Sequence, residues 1–181
     1  MIGTSRVITW GFLLAATGSL VAGCGASVQI GGGDWDSRAE DLIEGELATQ
    51  SGYGSLNASC DTPSKAFAVN DTFGCKATTP DGKTVRFVAK QDRKDHITVD
   101  STNLVTPAGL PKLVEVAAKA LGEKVGAPLT AANLDCGKGP LVVEVPAEVP
   151  CKLTDPGNGK VLDATMTILD VATGHVRIRT N

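Results

Sequence analysis

Two stretches of equal length, each closed by a pair of cysteines, decide the fold. The first is Cys60-DTPSKAFAVNDTFG-Cys75 and the second is Cys136-GKGPLVVEVPAEVP-Cys151, so fourteen residues separate the cysteines of each pair. Four cysteines permit three pairings, and only the pairing within each stretch keeps both bonds local. The alternative, two metal-binding pairs, lacks the close cysteine spacing and clustered histidines of zinc sites. We therefore predict two local disulfides and no metal site.

A helical pattern precedes each cysteine pair. The first begins at a capping-box pattern over 37–40 and ends near Gly52, and the second begins at Pro111 and ends at Gly126. The first apolar stripe consists of Leu42, Ile43 and Leu47. The second consists of Val114, Ala117, Ala118, Leu121 and Val125. Each stripe follows the helical period, so one amphipathic helix is predicted before each pair.

Alternating apolar residues predict strands between and after the cysteines. In each closed stretch they predict a hairpin with the pairs Val69 with Phe73, Phe67 with Cys75, Val145 with Val149 and Val143 with Cys151. A turn follows each second cysteine, at 80–82 or 155–159, and two further alternating strands come after it. Each unit is therefore expected to be one helix packed on a four-stranded antiparallel meander.

The equal spacing predicts an α+β chain of two tandem repeats, 36–103 and 110–181. Each repeat is expected to contain one α-helix packed on a four-stranded antiparallel meander sheet, with one disulfide. Units of this size have small cores, and only 4% of the residues are aromatic. Closing a loop of ~15 residues contributes about 3 kcal/mol in the chain-entropy account, so the disulfides should matter for stability.

The N-terminus has the layout of an export signal. One cation, Arg6, precedes the apolar run Val7–Ala16 and a stretch of small residues. The sequence Val21-Ala22-Gly23-Cys24 is similar to the bacterial lipobox, whose cysteine is lipidated and becomes the mature N-terminus. We predict a lipoprotein signal peptide over 1–23 and a flexible, Gly-rich tether over 24–35 after the lipidated cysteine. The alternative is an ordinary signal peptide with an incidental cysteine.

Lipid on Cys24 would hold the protein on the outer face of the cell membrane. Each buried CH₂ contributes about 0.8 kcal/mol, so two or more acyl chains make a permanent anchor. After the signal, no run approaches the ~20 apolar residues of a spanning helix. With Cys24 lipidated, an even number of cysteines is left, as an oxidising compartment favours. The net charge of −3 gives no indication of nucleic-acid binding.

The order of these features is that of a known family. Ser59-Cys60 and Phe73–Ala77 (FGCKA) carry the match, Val149–Lys152 (VPCK) matches more loosely, and Asn70 and Pro146 replace family glycines. Over most of 36–181 the chain resembles an actinobacterial lipoprotein family catalogued as domain of unknown function 4333. The resemblance implies the fold, the disulfides and a location in the cell envelope. The family brings no established activity.

Motifs of catalysis and cofactor binding are absent from the sequence. It contains no GxSxG elbow, no P-loop and no dinucleotide fingerprint. His96 and His175 each open the last predicted strand of a unit, and without a nearby ligand cluster they are interpreted as solvated residues beside a turn. We therefore predict a protein that is not an enzyme and uses no cofactor. A hydrolase built on converging carboxylates is the least favoured alternative.

Cations gather on the predicted outer faces of the sheets. Strand alternation places six of them opposite the core, while the first helix is acidic at 40–46. These cations are Lys76, Arg86, Lys90, Lys152, Arg177 and Arg179. They predict a binding face for a protein, glycan or anionic lipid partner of unknown identity. The alternative is that they only solvate the sheets and discourage edge pairing.

A second function is consistent with the small residues of the predicted cores. A lipid or small-molecule carrier needs a cavity, here between helix and sheet, and small side chains leave room for one. The residues in question are Ala89, Ala117, Ala118 and Ala164. Small core residues more often allow close packing, so the binding module is the leading prediction.

Overall fold

The computed structural model describes residues 23–29, 34–62 and 67–180. The described chain is a mixed α/β protein with mostly antiparallel sheets and two disulfides. Its helical segments are α1 (Trp35–Leu42), a π-helical turn (Ile43–Leu47), α2 (Ala48–Ser51), α3 (Leu110–Val125) and a 3₁₀ turn (Ala131–Asn133). Its strands are β1 (Gly25–Gln29), β2 (Asn57–Cys60), β3 (Thr72–Thr78), β4 (Thr84–Arg93), β5 (His96–Ser101), β6 (Leu104–Val105), β7 (Leu134–Asp135), β8 (Leu141–Val142), β9 (Ala147–Thr154), β10 (Val161–Asp170) and β11 (His175–Thr180).

The first sheet has the strand order β1-β5-β4-β3-β2, and all its neighbours are antiparallel. Residues of β3 and β4 alternate between buried and exposed positions, as expected when one face is covered. Phe87 lies in the covered face and packs in the same core as Ile43 and Leu47 of the helical segment. The predicted apolar stripe of the first helix therefore faces this sheet.

The second sheet has the strand order β11-β10-β9-β7, again antiparallel. Met166 and Ile168 of β10 are fully buried in a core that also contains the stripe of α3. Ala117 and Ala118 belong to this stripe, and their small side chains allow the helix to approach closely. The stripe was predicted correctly up to Leu121, whereas Val125 is exposed.

Both helical stretches end at a glycine in the left-handed conformation, as the sequence predicts. Gly52 has a φ of 82° and Gly126 a φ of 69°, a conformation that glycine adopts without strain. Their surroundings differ. A Cβ atom on Gly52 would lie 2.6 Å from Cγ of Pro107, whereas a Cβ on Gly126 would have no heavy atom within 4 Å. The two glycines therefore share a backbone conformation and differ in steric surroundings, so substitutions at them can be compared directly.

We expect Gly52→Ala to destabilise the protein more than Gly126→Ala. At Gly126 alanine adds only backbone strain, about 1 kcal/mol. At Gly52 the collision with Pro107 adds about 1–3 kcal/mol to that strain. Urea unfolding of both variants measures the difference. Equal losses would contradict the close contact between the end of α2 and the Pro107 segment.

A short antiparallel ribbon, β6 with β8, joins the two halves of the chain. Leu104 pairs with Val142, and Val105 pairs with Leu141. Directly opposed residues of an antiparallel pair share a face, so the two pairs point to opposite sides. The Leu104 pair packs with the core of the first sheet, and the Val105 pair packs with the core of the second. The ribbon therefore belongs to both cores.

The predicted register of the first hairpin is wrong. Phe73 lies opposite a residue of β4 instead of Val69, and Cys75 lies opposite Cys60 instead of Phe67. Phe67 is not in a strand; its ring packs between those of Trp35 and Phe73, with centroid distances of 5.3 Å to each. The first strand of the meander is β2, which ends at the first cysteine and has only four residues, too short a pattern to detect.

The second hairpin register is wrong for the same reason. Val149 and Cys151 lie opposite residues of β10, and Val145 is exposed. Val143 follows the β6–β8 ribbon and donates its backbone N–H to the carbonyl of Asn103, at 2.8 Å. The apolar alternation of this stretch therefore serves the contact between the two halves, instead of a hairpin with β9.

The predicted tether over 24–35 is a strand in its first part. Gly25–Gln29 form β1, which pairs with β5 over five residue pairs. At the other end of the same stretch, Trp35 already begins α1 and contacts Phe67. Composition alone did not reveal β1, because a short Gly- and Ala-containing strand is stable only beside a partner that is distant in sequence. The predicted signal peptide over 1–23 lies outside the described residues except for Gly23.

Candidate functional site: the outer sheet faces and Cys24

Each disulfide pins the edge of a sheet to its neighbouring strand. Cys60 and Cys75 lie directly opposite each other in β2 and β3, with 4.0 Å between their Cα atoms. Cys136 follows β7 and bonds to Cys151 of β9, with a Cα separation of 4.1 Å. Both bonds are those predicted from the cysteine spacing. They leave Cys24 as the one free cysteine among the described residues.

The outer face of the first sheet is the side opposite its helix, and it contains a groove of about 360 Å³. This groove, called the first outer groove below, has a lining that includes Ser59, Asp61, Lys76, Arg86, Val88 and Thr102. Val88 is 39% exposed in the middle of this sheet. Within the described ranges neither Lys76 nor Lys90 forms an ion pair. An outer face that combines an exposed apolar residue with unpaired cations is suited to binding a partner molecule.

The outer face of the second sheet carries a more balanced set of charges. Lys152 pairs with Asp163, and Arg179 pairs with Glu148 at 3.0 Å. Arg177 forms no ion pair with the residues that the structure describes. The structure thus places all six predicted cations on outer faces, and carboxylates partner three of them. The simple segregation of cations on sheets and anions on one helix does not describe the molecule.

Arg86 connects the first outer groove to the second half of the chain. Its guanidinium donates two hydrogen bonds to the carboxylate of Glu144, at 2.8 and 2.7 Å. These bonds hold the pKa of Glu144 below its ordinary value of 4.5. A carboxyl whose pKa is lower in the folded state contributes stability above its unfolded pKa and loses it as the pH falls through the folded value. This link between the halves is therefore present near neutral pH and weakens in acid.

The acidic residues of the first helix serve a structural purpose that the sequence analysis missed. Glu44 accepts the backbone N–H of Ala58, and Glu40 accepts that of Cys60, both at 2.8 Å. Four helical residues rise about 6 Å and two strand residues about 6.6 Å, so the two spacings match. Asp36 continues the series by accepting the hydroxyl of Thr62, at 3.0 Å. The i, i+4, i+8 spacing of the three acids is the signal that could have revealed it.

Removing these carboxylates should expose the edge of β2. We expect Glu40→Ala with Glu44→Ala to lower the free energy of unfolding by about 1 kcal/mol for each lost bond. It should also promote self-association, since unpaired edge amides pair with other chains. Glu46→Ala is the matched control, because among the described residues Glu46 accepts a hydrogen bond only from the side chain of Gln50. Urea unfolding and analytical ultracentrifugation give both readouts, and equal behaviour of the control would contradict the capping of β2.

Cys24 lies at the entrance of β1 and is tied to the end of β5. Its N–H donates to the hydroxyl of Ser101 at 3.0 Å, and its carbonyl accepts the N–H of Ser101 at 2.9 Å. The side chain is 4% exposed, and burial raises the pKa of its thiol. Burial likewise raises the pKa of Asp100, which lies beside this segment. The cysteine therefore adjoins a folded strand directly.

The two histidines have different environments. His175 is exposed, as predicted. The prediction that His96 is solvated is wrong: it is buried, and its Nδ1 lies against the carboxylate of Asp92. This contact holds the pKa of Asp92 below its ordinary value. The two positions differ in their neighbours: Gln29 of β1 pairs with His96, whereas no described strand lies on the equivalent side of His175.

The small core residues lie in close-packed regions. Ala89, Ala117 and Ala118 are fully buried, and Ala164 is 2% exposed. A cleft of about 430 Å³ lies elsewhere, beside the first turn of α3. Its lining includes Pro107, Leu110, Pro111, Val114 and Leu134. Ala89, Ala117 and Ala118 bring helix and sheet together and line no part of that cleft. Ala164 lines a different groove, of about 410 Å³, together with Lys152 and Asp163 of the outer face.

The described residues show neither a metal-binding cluster nor a membrane-spanning helix. Residues 23–29, 34–62 and 67–180 contain no group of three or more His, Cys, Asp or Glu side chains that could hold a metal ion. In the same part of the chain, no helix has both the length and the apolar character needed to cross a membrane.

Comparison with known proteins assigns no family. No protein-family model, no curated protein and no solved structure matches the chain. The resemblance to domain of unknown function 4333 thus stays an expectation from the sequence.

Proposed function

We propose that the protein is a lipid-anchored, non-catalytic binding module of the cell envelope, with its outer sheet faces as the binding surface. The first outer groove carries this proposal. It combines an exposed apolar floor at Val88 with the unpaired cation Lys76, the carboxylate of Asp61 and the hydroxyl groups of Ser59 and Thr102. Lys90 lies outside the groove, farther along the same face of β4. Such a surface offers both apolar contact and charge to a protein, glycan or anionic lipid. The closed packing around the core alanines favours this function over a carrier.

We also propose that the module is an internal duplication, 36–103 and 110–181. Several details support it. β5-β4-β3-β2 and β11-β10-β9-β7 have the same order and direction. The last hairpin of each half, β4–β5 or β10–β11, has a bulge at the same place. The bulge lies between Gln91 and Arg93 in the first and between Ile168 and Asp170 in the second. Each helix before the sheet ends at a left-handed glycine, and each sheet has an edge disulfide. The protein would then present two outer faces with the same fold, and the β6–β8 ribbon would join the two copies.

The membrane anchor in this proposal is lipid on Cys24. The support is the export-signal pattern and the lipobox-like residues before it. Lipid attachment requires an accessible sulfur, so in the lipidated protein the Cys24 side chain faces away from the core while β1 stays paired. Because β1 begins at Gly25, the anchor adjoins the sheet without an intervening tether. The module would therefore lie close to the bilayer surface.

Photo-crosslinking in intact cells tests the binding face. A photoreactive amino acid is placed at Val88, on the outer face, or at Val116, on the exposed side of α3. The two valines are matched controls, since they are 39% and 40% exposed. We expect a discrete adduct from position 88, reduced several-fold by Lys76→Glu, and none from position 116. Equal adducts at both positions, or none at position 88, would contradict the proposed face.

A further inference from the structure

The edge of β11 is where the two sheets differ. Aligned by strand order, β5 of the first sheet corresponds to β11 of the second, and both have six residues. In the first sheet β1 pairs with the outer edge of β5. Among the described residues no strand occupies the equivalent position beside β11. Apart from its pairing with β10, β11 therefore has no strand partner in the described part of the chain, and α3 packs against its buried face.

β1 shows which kind of segment the equivalent edge of the first sheet, that of β5, accepts. β1 comes from a distant part of the chain and pairs antiparallel with β5, from Gly25 opposite Asp100 to Gln29 opposite His96. Its alternate residues Ala26 and Val28 are half-buried, and they pack against the core of the first sheet. The residues between them lie on the outer face. The edge of β5 thus binds a five-residue extended segment with small apolar residues at every second position.

The charges on β11 define the occupant further. The outer-face positions of β11 carry Arg177 and Arg179, both exposed, where β5 has Thr98 and Asp100. If two copies paired through β11, these arginines would face the same arginines of the other copy, and like charges in opposed strands destabilise pairing. An acidic segment would gain directly from Arg177, which forms no ion pair with the described residues, and would compete with Glu148 for Arg179. Charge therefore disfavours a second copy and favours an acidic partner strand.

We propose that the β11 edge binds an extended segment of a partner protein, in which acidic residues alternate with small apolar residues. The acidic side chains contact Arg177 and Arg179 on the outer face. The apolar residues extend the core beside Val176 and Ile178. Main-chain hydrogen bonds supply affinity, and the alternating side chains supply specificity. This inference rests on the proposed function and names the partner class for its second outer face.

A designed peptide tests the inference. The probe is Glu-Ala-Glu-Val-Glu with Gly-Ser ends, which is the β1 sequence with its three outer-face residues changed to glutamate. Its binding to the full chain in detergent is measured by fluorescence anisotropy and by NMR shifts of the amides over 175–180. We expect saturable binding that weakens at least about tenfold in Arg177→Glu. Arg38→Glu, a matched charge reversal at an exposed arginine of α1 that belongs to neither outer face, should leave the affinity unchanged.

The controls separate the possible failures. The scrambled peptide Ala-Glu-Glu-Glu-Val keeps the composition and loses the alternation, so equal binding of this peptide overturns the inference. Equal binding to Arg177→Glu also overturns it, as does the absence of any binding by the alternating peptide. Self-association of the chain through β11 assigns the edge to a second copy and overturns it too. Loss of the position-88 adduct with peptide binding intact is a failure of the proposed first outer face alone.

Discussion

Replacing Cys60 and Cys75 together by alanine is expected to lower the free energy of unfolding of the first half by about 2–5 kcal/mol. The bond closes a loop of sequence separation 15 and holds the edge strand β2 on β3. Domains of this size have only about 5–15 kcal/mol to lose. Equilibrium unfolding in urea, with oxidised wild-type protein as reference, measures the loss.

The companion variant replaces Cys136 and Cys151. In the Cys60 and Cys75 variant the second half keeps its own bond and its Val-, Leu- and Ile-containing core, so it should be destabilised less. Amide hydrogen exchange resolves the two halves. Peptide mapping without reduction checks the pairing itself. Cys60 joined to Cys136 or Cys151 would contradict the register of β2 on β3.

Cys24→Ser is expected to release the protein from the membrane fraction, or to leave an unprocessed precursor there. The effect should be close to complete, because lipid on Cys24 is the proposed anchor and acyl chains supply its binding energy. Serine is close in size to cysteine, so the packing beside Ser101 should change little. Fractionation with separate detection of precursor and mature chain measures the outcome.

The Cys60 and Cys75 variant controls for instability in this experiment. It lacks a stabilising bond and keeps Cys24, so it should stay in the membrane fraction as the mature chain. A Cys24→Ser protein found there in processed, mature form would contradict the lipid anchor. Release of both variants would point to a general effect of cysteine replacement.

Sequence patterns predicted the features that depend on residues close together in the chain. The cysteine spacing predicted both disulfides, and apolar periodicity predicted the buried residues Ile43, Leu47 and Leu121. The glycines after both helices were predicted because the left-handed conformation is a property of the residue itself. The alternation of apolar and polar residues in β4 and β10 could be recognised in the sequence because these strands have ten residues each.

Pairing between distant segments could not be predicted in this way. β1 is a strand because β5 offers it an edge, and its own composition indicates a tether. The β6–β8 ribbon consists of two residues per strand, and its alternation has meaning only when both cores are known. The carboxylates of Glu40 and Glu44 look like a solvated face until β2 is placed beside them. For the outer faces, sequence placed the cations, and only the structure revealed which of them have partners.

Intact-mass spectrometry of the protein purified from native membranes tests the lipid anchor and both disulfides together. The expected mass is that of the chain beginning at Cys24, plus a diacylglycerol group and any N-terminal acyl group, and minus four hydrogens for two disulfides. Reduction should then add those four hydrogens. A chain that retains residues 1–23, or a mature chain without lipid on Cys24, would contradict the proposal that this is a lipid-anchored module of the cell envelope.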